Sequence, residues 1–349
     1  MGGPILKDKL FYFGSYQGTR QRNGLSGSCS STLVLPPLTD DRSAAALGKL
    51  FAGRRGYFNG QLGNVGPAIL ADGSNIAPAA LKILQTKNPD GTYLVPSAQI
   101  INPALPFKSQ GTTLFSVACP YTENQYLASA DYHQSATTTW SLRAFIAPST
   151  ATQTLTGGGI PGFPYLNRQN FQNYSITHTH VFTPSLLNQA EIGFNRVVAG
   201  FTQTSPYKFS DFGINAPAFD NADPVIDIGA LNGGIGIGGN GQSVNFAQNV
   251  FVAQDTLSWT RWRHNLRLGG GVTRTQINEP GLIYLGTIIS LTFADFLLGL
   301  NAADNGTAAA GLPVSNIYET VDLPGDKAAP TVPWRPTCSR RMIGRLRPG

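Results

Sequence analysis

The sequence predicts an all-β chain: an incomplete antiparallel transmembrane β-barrel, a curved meander of about seven or eight strands with long extracellular loops. Three observations carry this expectation. Charged residues make up 13% of the 349, against about 25% in an ordinary soluble protein. Glycine (40), Phe (19) and Tyr (12) are plentiful while Met (2) is scarce, and polarity comes from Ser, Thr, Asn and Gln. Pairs of segments alternate apolar and polar residues with period two across short polar turns. The composition alone disfavours a helical enzyme. It suits either a β-rich secreted protein or an outer-membrane barrel, whose strands show one apolar and one neutral polar face.

The chain opens on Lys7-Asp8-Lys9, a tight polar turn, and on the aromatic run Leu10-Phe11-Tyr12-Phe13. Flat rings pack well on a half-buried pleated surface, so the first strand is placed at about 4–17. So little chain precedes the turn that the sequence reads as starting partway through a hairpin of a larger β-protein. A long irregular loop follows at 19–122, with Pro36-Pro37, Asn88-Pro89-Asp90-Gly91 and Asn102-Pro103. Only Ile76 to Lys87 has helical spacing, with Ala79, Ile83 and Leu84 on one face. A loop of this length is uncommon in a compact soluble domain and ordinary outside a membrane barrel.

Hairpins are expected at 124–148, 170–199 and 244–276. In the first, Tyr126, Ala128, Ala130 and Tyr132 alternate with Gln125, Leu127, Ser129, Asp131 and His133; Trp140, Leu142, Ala144 and Ile146 run back against Ser141, Arg143 and Phe145. In the second, Tyr174, Ile176, His178, His180 and Phe182 share a face opposite Asn173, Ser175, Thr177 and Thr179. Thr183-Pro184-Ser185 turns, where proline's fixed φ helps, and Ala190, Ile192 and Phe194 return against Gln189, Glu191 and Asn195. Each strand reads as about ten residues, the length a tilted transmembrane strand needs. A second loop, Thr202 to Gln242, is rich in glycine. In the third hairpin Phe251, Ala253, Leu257 and Trp259 lead into a turn at Arg261-Trp262-Arg263-His264, and Leu266, Leu268, Gly270 and Val272 lead out. Tyr174, Ile176, Ile192, Phe194, Leu266 and Leu268 are expected to face lipid, and Asn173, Thr177, Glu191, Asn195 and Arg267 the lumen. Phe293 to Gly299 reads as a compact apolar turn or short helix, and an eighth strand is placed between Pro313 and Asp322. Residues 319–349 read as an irregular tail, non-native from Lys327 onwards.

The net charge of +6 is concentrated in that tail, where Arg340, Arg341, Arg345 and Arg347 stand without an acid. With no basic stripe elsewhere, nucleic-acid binding is not expected. No apolar run reaches the roughly 18 residues of a membrane helix, and Met1-Gly2-Gly3-Pro4 has no signal-peptide pattern. Cys29, Cys119 and Cys338 have no metal or redox spacing. Cys29 and Cys119 bracket the long loop, and either pair as a disulfide at an oxidising exterior or stay two separate thiols.

Gly236-Ile237-Gly238-Gly239-Asn240-Gly241 fits G-x-G-x-x-G, but a dinucleotide site needs a helix after it and Val244 to Trp259 reads as strand; a flexible loop is expected. His178 and His180 share a strand face without a third ligand nearby, and His133 with Asp131 is an equally weak pair. No nucleophile, paired carboxylates or phosphate loop can be assembled. The sequence therefore assigns no catalytic, cofactor-binding or metal residue, and no enzyme activity.

The first eighteen residues, Met1 to Gly18, resemble the early-barrel signature of Oar-like TonB-dependent outer-membrane receptors, the type with a carboxypeptidase-regulatory-like domain. Thr183-Pro184-Ser185-Leu186-Leu187-Asn188 with Ile192-Gly193-Phe194-Asn195-Arg196 is similar to one of that family's periplasmic turns. So are Arg263 to Gly270 and Phe293 to Gly299. Pro78 to Leu84, Asn88 to Gly91 and Leu94-Val95-Pro96 are similar to its first long extracellular segment. The resemblance covers residues 1 to about 300 and implies a fragment from the N-terminal part of the barrel, at 1–318, of a receptor that imports a substrate at the cell surface. It implies outer-membrane lipid as surroundings, and a plug and TonB system contacted through a segment upstream of Met1. The family usually has a small residue where Trp262 stands. The alternative of another class is a secreted β-rich binding or adhesion protein.

Overall fold

The computed structural model describes residues 1–22, 29–155, 160–203, 205–216, 224–238, 244–278 and 286–321. It opens with β1 (Gly2–Leu6) and β2 (Leu10–Gln21). The first long connection holds β3 (Ser30–Leu35), α1 (Ala44–Phe51), α2 (Tyr57–Gln61), α3 (Pro78–Gln85), β4 (Ile100–Ile101) and β5 (Gly111–Ser116). Two hairpins follow, β6 (Tyr121–His133) with β7 (Thr138–Gln153) and β8 (Tyr165–Thr183) with β9 (Leu186–Gln203). Next come β10 (Val225–Ile228), β11 (Ile235–Ile237) and the hairpin of β12 (Val244–Arg261) with β13 (His264–Asn278). The described chain ends through β14 (Thr287–Ser290), α4 (Phe293–Leu298) and β15 (Glu319–Val321).

Eight strands form one antiparallel sheet in the order β1-β2-β6-β7-β8-β9-β12-β13. It is not closed, so β1 and β13 are its edges. The eighth strand is β1 and does not come from Pro313 to Asp322. Lys7-Asp8-Lys9 has paired strand on both sides, Leu6 opposite Leu10 and Gly3 opposite Tyr12. What read as one strand at 4–17 is therefore a hairpin. Asp8 turns it at φ 57°, a left-handed position that Asp tolerates. The residues before Asp322 supply only β15, which belongs to a different sheet.

The turns after β1, β6, β8 and β12 are short and lie at one end of the sheet; the long connections leave from the other. Strands β8 and β9 run 19 and 18 residues, well beyond the ten expected. The outer face of each strand explains the excess. On β12 this face runs from Trp259 to Phe251, apolar except at Asp255, which accepts from Asn188 Nδ2 at 2.7 Å; the span is about 27 Å at about 3.4 Å per residue. Once tilted, that approaches the apolar band of about 25 Å in an outer-membrane barrel. A polar row then crosses the same face: Arg196 donates to Asn249 at 2.8 Å, and Asn249 faces Gln276 at 3.4 Å. Above this row the strands continue with polar residues on that face, such as Arg168 and Asn170 on β8. Alternation marks the apolar half of each strand and is silent on the rest.

The long connections are not irregular. Their apolar residues form one core, which takes Leu35, Leu47, Phe51 and Leu84 from the first connection, Ile160 and Phe163 from the second, Phe212, Ile226 and Ile237 from the third, and Leu297 from the last. Two small sheets frame this cap, in the orders β3-β5-β4 and β11-β10-β14-β15. β10 pairs in parallel with β14, Val225 opposite Thr287. In α3 the buried face is Ala80, Ile83 and Leu84, with Pro78 in the first turn, so Ala80 takes the place expected of Ala79. Arg42 is buried and donates to the Val95 carbonyl and Ser97 Oγ, both at 3.1 Å. Its guanidinium also lies over the Tyr93 ring, and burial pushes its pKa down to about 10.

Cys29 and Cys119 form a disulfide with Cα atoms 5.5 Å apart. It joins the two strands of the first connection where they leave the large sheet: Val117 N donates to the Cys29 carbonyl at 2.8 Å. The bridge closes a loop with a sequence separation of 90, and in the chain-entropy view such a closure stabilises by about 4.6 kcal/mol. Replacing both cysteines by serine should therefore lower the guanidinium concentration at which residues 30–116 become open to protease. Equal resistance in the two proteins would show that the bridge does not hold the cap.

Candidate functional site

Register assigns every side chain of the large sheet to a face. Ile176 stands opposite Ile192, which stands opposite Ala253, which stands opposite Val272. Tyr174, Phe194 and Phe251 form the next row, with ring centroids 6.2 and 5.0 Å apart. Leu257 with Leu268 and Trp259 with Leu266 continue this mainly apolar face towards the turns, past Asp255 opposite Gly270, while Arg274 stands opposite Phe251 at the other end. Ile192 is 67% exposed and Leu268 62%, so none of the described residues covers this face. The opposite face is mainly polar, with Leu127 beside Phe145 and Val252 among its apolar exceptions. Asn173 bonds Asn195, and Gln254 donates to Glu191 at 3.2 Å. Arg143 pairs with Asp131 at 3.0 Å, and Ser141 donates to the same carboxylate at 2.6 Å. Between β9, β12 and β13 this face holds a groove of about 540 Å³ bordered by Glu191, Gln254 and Arg267. Gly269 and Gly271 supply no side chain to fill it.

Inside the cap, α4 is anchored by a buried polar network. Thr292 caps the helix: Asp295 N donates to its Oγ1 at 3.1 Å, and its own N–H returns to the Asp295 carboxylate at 3.1 Å. This is a capping box. The same carboxylate accepts from Tyr57 N at 3.1 and 3.0 Å and from Asn316 Nδ2 at 2.8 Å. Asn59 links Asn316 to the Asn305 carbonyl. A Cβ at Gly56 would stand 2.1 Å from Asp295 Oδ1, so only glycine lets α2 approach. Phe293 to Gly299, read as a compact apolar turn or short helix and similar to a periplasmic turn, is a short capped helix, and it lies on the side of the long connections and not at the short turns. Its first residue, Phe293, is thereby held beside Phe51 and Phe107, where they line a cavity together with Arg54. Partial burial lowers the pKa of Arg54.

His178 and His180 share a face as expected, their rings stacked with centroids 6.3 Å apart, and each has a further neighbour. His178 packs on Trp140 at 4.4 Å between ring centroids, and His180 shares a hydrogen bond of 2.8 Å with Thr138 Oγ1 and meets Phe182 edge-on. His133 contacts Thr139 and Phe11. Gly236 and Ile237 lie in the buried strand β11, opposite Asp227 and Ile226, and not in a loop; Gly239 to Gly241 lie outside the described residues. The tail from Lys327 also lies outside them. The polar network was missed because its members are far apart in sequence. Thr292-Phe293-Ala294-Asp295 does carry a capping-box spacing that would have marked α4.

An open antiparallel sheet with one apolar and one polar face, short turns at one end and long connections at the other, is the layout of a membrane barrel wall. The family model of an outer membrane beta barrel domain matches residues 1–319. The chain belongs to this family. No curated protein and no solved structure matches it. As an outer membrane beta barrel domain the protein resides in the outer membrane, and the uncovered apolar face is the one that meets lipid. Tyr132, Trp140 and Trp259 stand near the turns, where aromatic girdles lie. Trp262 takes φ 56° in the β12–β13 turn and is 94% exposed. A bulky side chain is unusual in that conformation, and its position past the girdle suits an indole at the membrane interface.

Two measurements check these assignments. Ile192→Arg should cost about 2–4 kcal/mol in folding into lipid vesicles, whereas Thr177→Arg on the polar face should cost far less. Equal penalties would invert or abolish the faces. In the cap, Asp227 Oδ1 is buried and has no hydrogen-bond partner among the described residues, and burial raises its carboxyl pKa above the usual range. Its folded pKa exceeds the unfolded one, so the stability it lends is complete below the unfolded value, and is lost as pH rises through the folded value. Asp227→Asn should therefore stabilise the cap at neutral pH, with a gain that shrinks on acidification. A gain that grows on acidification, read from denaturation midpoints against pH, would contradict the assignment.

Proposed function

We propose that the chain is part of the barrel of a TonB-dependent receptor of the Oar-like type, which takes up a substrate at the cell surface. The observation that carries this reading is the combination of an open eight-stranded wall with a cap built from all of its long connections. A plugged transporter barrel has about 22 strands, and a wall that stays open at both edges fits a segment of such a circle. Its polar face, with Asp131, Arg143, Glu191 and Arg267, fits a lumen that meets a plug. The sequence resemblance from Met1 to Gly18 and in the first long connection adds the family type. In this reading the partners are outer-membrane lipid, a plug and the TonB system, with no nucleic acid, and the chain carries out no catalysis.

The test is made in the native host with an antibody against residues 70–92. The protein should require detergent for release from outer membranes and should cross-link to TonB with formaldehyde. Release without detergent would favour an adhesin. Absence of the TonB adduct, in cells where another receptor gives one, would refute the transporter reading.

A further inference from the structure

The cap contains a cavity of about 330 Å³ between the end of α1, residues 106–108, the β10–β11 corner and the start of α4. That is within the range of small-molecule sites. Its body is aromatic. Phe51 is buried at its base, with Phe107 edge-on at 5.2 Å and Phe293 stacked at 5.8 Å. Ile228 and Ile235 add apolar surface. The corner that joins them turns through Gly229 at φ 78° and Gly234 at φ 38°, and both glycines line the cavity without filling it.

The charged part of the lining is cationic. Arg54, Arg55 and Lys108 contribute to it, and among the described residues no Asp or Glu does. Arg55 Nε is directed to the Gly66 carbonyl at 3.3 Å. Arg54 is different. Its guanidinium lies 3.3 Å from the centroid of Phe107, and among the described residues no carboxylate is within ion-pair distance of it. A cation held flat on an aromatic wall, beside an apolar cavity and without a counter-charge, is complementary to a ligand with a planar apolar body and one anionic group.

We propose that this cavity binds a small aromatic carboxylate, its ring among Phe51, Phe107 and Phe293 and its carboxylate on Arg54. A neutral ring would gain the apolar contacts and leave the cation unmatched. A cationic ring would be repelled by three basic side chains. The site is made from the cap alone, so it stands or falls separately from the transporter reading.

The test is titration of the full chain in detergent with 2-naphthoate and with the neutral 2-naphthalenemethanol, followed by calorimetry. Naphthoate should bind saturably and about tenfold more tightly than the alcohol, the size of a charge-assisted hydrogen bond. Arg54→Gln should remove that advantage and leave binding of the alcohol unchanged. Arg54 is exposed, so this variant should keep its fold; should it not, the comparison of the two ligands on the unaltered chain decides. No saturable naphthoate binding at millimolar concentration, equal affinity for the two ligands, or unchanged naphthoate affinity in folded Arg54→Gln would each overturn the proposal.

Discussion

Backbone pairing in a medium without water is the constraint on which the rest of this protein depends. A peptide N–H or C=O left unpaired in hydrocarbon costs several kcal/mol, so a chain that enters the membrane as strands must form an uninterrupted ladder. From β2 to β13 each strand is bonded on both sides in unbroken antiparallel order until the edge is reached. Period-two alternation then follows without further instruction, because successive residues of a strand point to opposite faces. The row Ile176, Ile192, Ala253, Val272 can face lipid only if each neighbour keeps its register, since a slip of one residue would put Thr177 or Glu191 there instead.

The second constraint acts at the other end of the sheet. Above the row of Arg196, Asn249 and Gln276 the strands leave the apolar band and the connections meet water, where burial of apolar side chains organises the chain. Four connections far apart in sequence share one core. What holds them in register is polar and covalent. The carboxylate of Asp295 accepts from Tyr57, Thr292 and Asn316, and Cys29–Cys119 fixes both ends of the first connection. A buried carboxylate with this many donors is well satisfied, whereas removal of one partner would leave the others unmatched. The network thus specifies how α2, α4 and the 300–316 segment meet.

The same arrangement produces the aromatic cavity. Phe51 comes from the end of α1, Phe107 from the segment before β5, and Phe293 from the capped start of α4. Each is placed by a different local rule: helical spacing, a short 3₁₀ turn, and a capping box. Their convergence beside Arg54 is a consequence of the cap core, and no part of the barrel wall takes part in it. The wall supplies location and the cap supplies chemistry, a division usual where loops carried on a rigid scaffold bear the binding residues.

The sequence by itself determined the wall. Alternation at Tyr174 to Phe182 and at Gln189 to Asn195, with short polar turns between, is a local pattern whose period follows from strand geometry, and it was legible without any partner. It assigned the faces of Ile192 and Glu191 correctly, and composition placed the chain among barrels or secreted β-proteins. The tertiary structure alone decided the cap. Runs such as Val225 to Ile228 and Thr287 to Ser290 are too short to signal strands unaided, and they become strands because each supplies the other's hydrogen bonds across a long separation. Glycines at 229, 234 and 236 read as a loop, since a sequence does not show which glycine is there to let another backbone approach. The pairing of Cys29 with Cys119, the eighth strand at Gly2 to Leu6 and the meeting of Phe51, Phe107 and Phe293 share that cause. Each depends on a contact between residues that no local period connects.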